Sequence, residues 1–163
     1  LNDFLRFTKL SSLELKPGSV NHQVTHVLDF FETQANNQGV EIKRYLDAEL
    51  PSINLDSQTL QAALINLVKN AMEAMPNGGQ LVARTRITRK GVALDLIDTG
   101  CGMEASALIN MFKEFYTSKD GGTGLGLPTA KKIIEAHDAR INVQSEVGQG
   151  TQFTIEFPTP RRI

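Results

Sequence analysis

The sequence predicts a two-layer α/β sandwich with a largely antiparallel sheet, and three observations predict it. Two stretches, 21–37 and 57–75, repeat apolar residues at helical spacing over several turns. Two later stretches, about 80–98 and 140–157, each read as a pair of strands around a tight turn. Helices and strands are mixed without the strict strand–helix alternation that builds a parallel sheet.

The elements follow in order. Leu1, Phe4, Leu5 and Thr8 fall at helical spacing, so residues 1 to about 14 read as an amphipathic helix. It begins inside its own pattern without a capping residue, as the end of a longer helical element would. A short helix packed on its own domain fits the same residues. Pro17-Gly18 breaks it and opens an extended stretch. The helix 21–37 places Val24, Val27, Leu28 and Phe31 on one face and stops at Gly39. Val40 to Tyr45 alternates as a strand. After Pro51, Asp56 is the expected N-cap of helix 57–75, whose Leu60, Leu64, Leu67, Val68 and Ala71 face the core. Asn77-Gly78-Gly79 is a turn, and strands 80–88 and 92–98 are joined at Arg89-Lys90-Gly91. A short helix covers about 104–111, a Gly- and Thr-rich loop 112–126 and a further helix 127–137. Strands near 140–146 and 151–157 flank Gly148-Gln149-Gly150.

Composition is that of an ordinary globular domain, with 40% hydrophobic and 21% charged residues among 163. Seventeen basic residues against eighteen acidic ones leave a net charge of -1, which gives no footprint for nucleic acid or an anionic membrane. A single cysteine excludes an internal disulfide framework and fits a reducing compartment. No apolar run reaches transmembrane length and no signal peptide opens the chain, so a cytoplasmic location is expected.

Four local features carry chemistry. Asn66 and Asn70, four apart on the long helix, share one face. Two carboxamides lining a cleft supply neutral oxygens that can share a cation with phosphates, an arrangement that suits magnesium. A pair of solvated amides fits the same spacing. Asp98-Thr99-Gly100-Cys101-Gly102 ends an apolar strand. An ionised Asp only accepts hydrogen bonds, so it can take one from the six-amino group of adenine and would repel the acceptor guanine carries there. Such a charge-assisted bond is worth about 1.5–3 kcal/mol. A plain Asp-Gly turn at a strand end is the alternative. Gly121-Gly122-Thr123-Gly124-Leu125-Gly126-Leu127 runs into a helix, and successive glycine amides can cradle phosphate oxygens at its positive end. It is neither a P-loop nor a full dinucleotide fingerprint. Gly148-Gln149-Gly150-Thr151 by itself is a hairpin turn.

In this order, with Phe112 and Phe115 before the glycine-rich segment, the features resemble the N, G1, F, G2 and G3 boxes of the histidine-kinase branch of the Bergerat-fold ATPases. The resemblance covers about residues 20–158. It implies a mostly antiparallel mixed sheet of about five strands, covered on one face by about three helices. It implies ATP and Mg²⁺ as ligands, with Asn70 on the metal, Asn66 beside it, and Glu73 and Lys69 near by. By similarity Asp98 holds the adenine amino group, Gly100, Gly102 and Met103 surround the ring, and Thr151 stands near its far edge. Lys119, Gly122, Thr123, Gly124 and Gly126 would meet the phosphates, and Leu125 and Leu127 would close the lid. Phe112, Phe115 and Tyr116 would support it.

The resemblance also implies what lies elsewhere. Residues 1–15 look like the end of a dimerisation and phosphoacceptor helix hairpin, 16–160 like the catalytic ATP-binding domain, and 161–163 like a tail. The implied partners are that hairpin and a response-regulator receiver domain, with a homodimeric full-length protein and a monomeric fragment. The acceptor histidine is expected outside the chain, because none of His22, His26 and His137 has the family's flanking residues. His22 and His26 read as a solvated helix face and Cys101 as a passive small residue. Asp138-Ala139 replaces the family's usual Gly pair, so a less tight turn is expected there. Among rivals, the clamp-driving ATPases of the same fold carry a water-activating glutamate where this chain has Asn66, which cannot accept a proton at neutral pH. An anti-sigma-type serine kinase and a non-catalytic binding module are the remaining alternatives.

Overall fold

A computed structural model describes residues 13–113 and 126–160. The expected opening helix falls mainly outside them, and residues 13–15 are irregular. β1 (Lys16–Gly18) and β3 (Ile53–Leu55) pair antiparallel as a small separate sheet, with Pro17 opposite Asn54. Strands of three residues are too short to show alternation, so this pairing has no periodic signature in the sequence.

α1 (Val20–Gln38) starts at Ser19, whose side chain accepts from the His22 N–H. It stops at Gly39 in the left-handed conformation, φ 79°, whose N–H returns to the Ala35 and Asn36 carbonyls. α2 (Ser57–Glu73) starts at Asp56, which accepts from the Thr59 N–H at 3.2 Å and the Glu14 N–H at 3.0 Å. Burial raises the Asp56 carboxyl, but these bonds outweigh it and hold the group below its ordinary value.

The main sheet runs β2–β4–β5–β7–β6. β2 (Val40–Tyr45) is parallel to β4 (Gly79–Ile87), and every other pairing, through β5 (Gly91–Asp98), β7 (Gly150–Pro158) and β6 (Arg140–Glu146), is antiparallel. Register turns the strand period of two into rows across one face: Ala83, Leu96, Phe153 and Val143 form one, Thr85, Leu94, Ile155 and Ile141 the next. Leu94, Phe153 and Ile155 are fully buried, and burying side chains of this size contributes about 1.5–3 kcal/mol each. The helices α1, α2 and α4 (Gly126–Ala136) supply the opposing apolar faces, including Leu28, Leu64, Leu67, Ile133 and Ile134. α3 (Ala105–Asn110) is short and follows the loop after β5. The expected sandwich and its helical cover are therefore present, with a fourth short helix and the extra two-stranded sheet.

The opposite sheet face carries a buried charge. Asp95 on β5 is 0% exposed and accepts from Arg84 Nε and Arg86 Nε, both at 3.0 Å, and from Thr154 Oγ1 at 2.7 Å. Desolvation raises its carboxyl, yet the bonds from Arg86, Thr154 and Arg84 prevail and keep it ionised to lower pH than a free Asp.

The turn after α4 closes more tightly than its sequence suggests. Asp138 takes the left-handed conformation, φ 57°, and the Ala139 N–H reaches the Ile134 carbonyl at 3.2 Å. Asp tolerates that region better than most side chains, so a glycine is not required. Just before it, His137 ties α4 to α2: its Nε2 accepts from the Asp56 N–H at 3.0 Å while Nδ1 faces the Ile133 carbonyl at 2.8 Å.

Candidate nucleotide site

The site lies where β5 ends, between the C-terminal end of α2 and the β6–β7 hairpin. Asp98 is 3% exposed, and its Oδ1 accepts from the Gly100 N–H at 2.8 Å and the Thr151 N–H at 3.3 Å. Oδ2 carries no hydrogen bond among the described residues. Burial raises this carboxyl above its ordinary value, and the two backbone bonds oppose the rise without cancelling it. A buried carboxylate with one oxygen pinned and the other open is an acceptor prepared for a ligand donor.

The glycines around it are required by close approach. A Cβ on Gly100 would stand 2.6 Å from the Ala74 Cβ and 2.9 Å from Asp98 Oδ1. Gly102, φ 71°, abuts the Glu146 carbonyl, where no side chain fits. The loop between them is pinned on three sides: Thr99 N–H to Gln80 O, Cys101 N–H to Ala74 O, and Met103 N–H to Ser145 Oγ at 2.8 Å. Cys101 itself is exposed and free.

On α2, Asn66 and Asn70 are half-buried, whereas Lys69 and Glu73 are exposed. Among the described residues, Asn66 Nδ2 is buried and has no hydrogen-bond partner. Leaving such a group unsatisfied costs about 1–3 kcal/mol, so it calls for a partner that binds there. The first residue of α4, Gly126, lies against Asn66: a Cβ on it would be 3.7 Å from Asn66 Oδ1. The helix N-terminus that follows the glycine-rich segment is thus brought to the asparagine face of α2. Leu127 and Phe112 are half-buried against the core, and Lys131 Nζ stands 5.2 Å from the Phe112 ring centre. Phe115, Tyr116, Lys119, Gly122, Thr123, Gly124 and Leu125 lie outside the described residues.

An open buried carboxylate, a glycine loop, two asparagines and a helix start can together receive a ligand that carries both hydrogen-bond donors and anionic groups. Residues 55–161 fit the family model of histidine kinase-, DNA gyrase B- and HSP90-like ATPases. This chain belongs to that family. Sporulation kinase E of Bacillus subtilis is 35% identical over 97% of this chain and 22% of its own length. The sensor histidine kinase ZraS of Escherichia coli K12 is 30% identical over 97% of this chain and 34% of its length. The full-length ShkA structure in complex with AMPPNP superposes with a TM-score of 0.84 at 28% identity, covering 99% of this chain and 36% of that one. The nucleotide-free catalytic domain of histidine kinase ThkA gives 0.80 at 26% identity, covering 90% and 97%. The chain thus spans roughly a fifth to a third of these curated relatives and nearly the whole of an isolated catalytic domain. It is an ATPase-type domain of that family, similar over nearly its whole length to domains of sensor histidine kinases, one of them solved with AMPPNP.

Of the expected site residues, the structure brings Asp98, Gly100, Gly102, Met103 and Thr151 together around the loop after β5, and sets Gly126 against Asn66, one turn from Asn70 on α2. His22 and His26 are both exposed on α1, and among the described residues no group of three or more His, Cys, Asp and Glu side chains is placed to hold a metal. No helix among them is long and apolar enough to cross a membrane. Sequence reasoning passed over Ser145. Counting register outward from the Gly148-Gln149 turn pairs Ser145 with Thr151, and that count is the signal that finds it.

Proposed function

We propose that the domain binds Mg-ATP over Asp98 and delivers the γ-phosphate to a histidine on a helical hairpin outside the described residues, from which it passes to an aspartate of a response-regulator receiver. The observation that carries this reading is the buried Asp98 with Oδ2 open beside the Gly100 loop. That oxygen accepts from the adenine amino group, and the tight loop shapes the slot for the ring.

The residues present suit magnesium. Asn66 and Asn70 carry carboxamide oxygens one turn apart, and the buried, unpartnered Asn66 Nδ2 is a donor that would meet a phosphate oxygen sharing the cation rather than the cation itself. Asn70 would hold the ion. Bound there, Mg²⁺ would neutralise charge on the phosphates. The chain's own groups do the positioning: Asp98 fixes the ring end, and the start of α4 turns its free N–H groups toward the anionic end. Transfer breaks the bond from the γ-phosphorus to the bridging oxygen, releases ADP and forms a P–N bond on the acceptor imidazole.

Asn66 separates this reading from a hydrolytic one, because a carboxamide cannot take a proton from water. In a coupled assay of the chain saturated with Mg-ATP, binding without measurable phosphate release is the expected result. Steady release that depends on Asn66 would transfer the preference to a clamp-type ATPase.

A further inference from the structure

The face of the main sheet turned away from the helices is organised around Asp95. Tyr45, Arg84, Asp95, Thr154 and Asn142 pair in register across the five strands and form one row on that face. Arg86 lies two residues along β4 from Arg84 and so projects beside it. Asp95 is fully buried, whereas the two arginine side chains above it are 46% and 48% exposed. Both arginines spend their Nε–H on the same oxygen, Oδ2. Thr154 Oγ1 donates to Oδ1 at 2.7 Å, and Arg86 Nη2 reaches that oxygen only at 3.5 Å. Among the described residues, Arg84 Nη1 and Nη2 and Arg86 Nη1 make no hydrogen bond to protein.

A solvent-facing strand position needs no carboxylate, and burying a charge carries a desolvation cost that pairing does not reliably return. What the arrangement delivers is two guanidinium groups fixed at Nε, with their outer N–H edges left to the solvent. Two arginines on one carboxylate also leave one positive charge uncompensated. The neighbouring acids are already engaged: Glu41 stands 3.8 Å from Lys43, and Glu156 lies directly opposite Arg140. A guanidinium edge matches a carboxylate through two parallel hydrogen bonds. Because Asp95 already orders both side chains, less entropy is lost when a partner binds them. Tyr45 is exposed beside Arg84, and tyrosine with arginine is the pairing that dominates protein interfaces. Small ligands take concave sites, and this face is an open pleated surface.

From these observations we infer that the open sheet face docks an acidic segment of a partner protein, two of whose carboxylates take the outer edges of Arg84 and Arg86. Residues two apart on a strand are separated by about 7 Å, close to the roughly 5–6 Å between glutamates one turn apart on a helix, so an acidic helix fits. The surface is separate from the nucleotide site, because Asp98 lies an odd number of residues from Asp95 and faces the other side of the sheet.

The test is a ¹H–¹⁵N NMR titration of the chain with an alanine-based helical peptide carrying two glutamates four residues apart, and with its glutamine counterpart. The glutamate peptide is expected to shift the Arg84 and Arg86 Nε–H signals and the Thr154 amide, with a Kd on the order of 1 mM that weakens as salt is added. The glutamine peptide is expected to leave them still. Arg84→Gln keeps the bonds to Asp95 from Arg86 and Thr154, and is expected to weaken the glutamate peptide about tenfold with Mg-ATP affinity unchanged. No shift at these signals, or equal shifts with both peptides, would overturn the inference, and the wild-type contrast decides it even if Arg84→Gln does not fold. Inorganic phosphate binding as well as the peptide would overturn it too, by making the pair a small-anion site. Unchanged peptide affinity in folded Arg84→Gln would leave the arginines a cover for Asp95 only.

Discussion

Asp98→Asn is expected to weaken ATP binding on the order of 100-fold while the fold stays intact. The substitution keeps an oxygen that accepts from the Gly100 and Thr151 N–H groups, so the loop geometry has no reason to change. It replaces the open Oδ2 with an amide donor, which meets the adenine amino group donor to donor. The same amide would suit the carbonyl of guanine, so the gap between ATP and GTP is expected to narrow. Calorimetry with both nucleotides measures this, and unchanged ATP affinity would remove Asp98 from the base. The pH dependence has a definite sign. Because burial raises the Asp98 carboxyl, it is protonated at higher pH than a free Asp, and ATP affinity is lost from the acid side correspondingly early. The same shift means that ionised Asp98 subtracts from stability at neutral pH, a liability that an ordinary surface Asp would not impose. Asp95 behaves in the opposite way: its carboxyl is held low by Arg86, Thr154 and Arg84, so it supports the fold until the pH falls through that lowered value.

Asn70→Ala is expected to remove the Mg²⁺-dependent part of ATP affinity. Titrations with magnesium and with a chelator should differ by tenfold or more in the wild-type chain, about the range seen when a metal's supporting ligands are lost, and should nearly coincide in the variant. The effect is specific because Asn66, one turn away, keeps its buried amide for the phosphates. A variant that still responds to magnesium like the wild-type chain would take Asn70 off the metal.

Much of this was legible in the sequence, for reasons that are local. Asp56 and Gly39 mark helix ends through caps that need only neighbouring backbone, and the hairpin around Arg89-Lys90 declares itself by alternation on both sides. The asparagine pair and the Asp98 loop are legible because chemistry constrains their spacing. What stayed hidden depends on distant parts of the chain. Lys16–Gly18 has no strand signature until Ile53–Leu55 lies beside it. Asp95 looks like the polar position of an alternating strand, and only register shows Arg84 and Thr154 closing over it. Ser145 is an unremarkable strand serine until β6 and β7 set it beside Thr151. Asp138 shows that a side chain can replace a glycine where the turn needs φ near 60° rather than empty space.

The central claim is that one adenine-specific, magnesium-dependent nucleotide site spans Asp98 and the asparagine face of α2. The most direct measurement is a ¹H–¹⁵N NMR titration of the chain with Mg-AMPPNP, with Mg-GTP as control. The backbone amides of Gly100, Gly102 and Thr151 and the side-chain amides of Asn66 and Asn70 are predicted to shift together, saturating at one nucleotide per chain, and to stay still with GTP. Shifts confined to other surfaces, or equal shifts with GTP, would contradict the account.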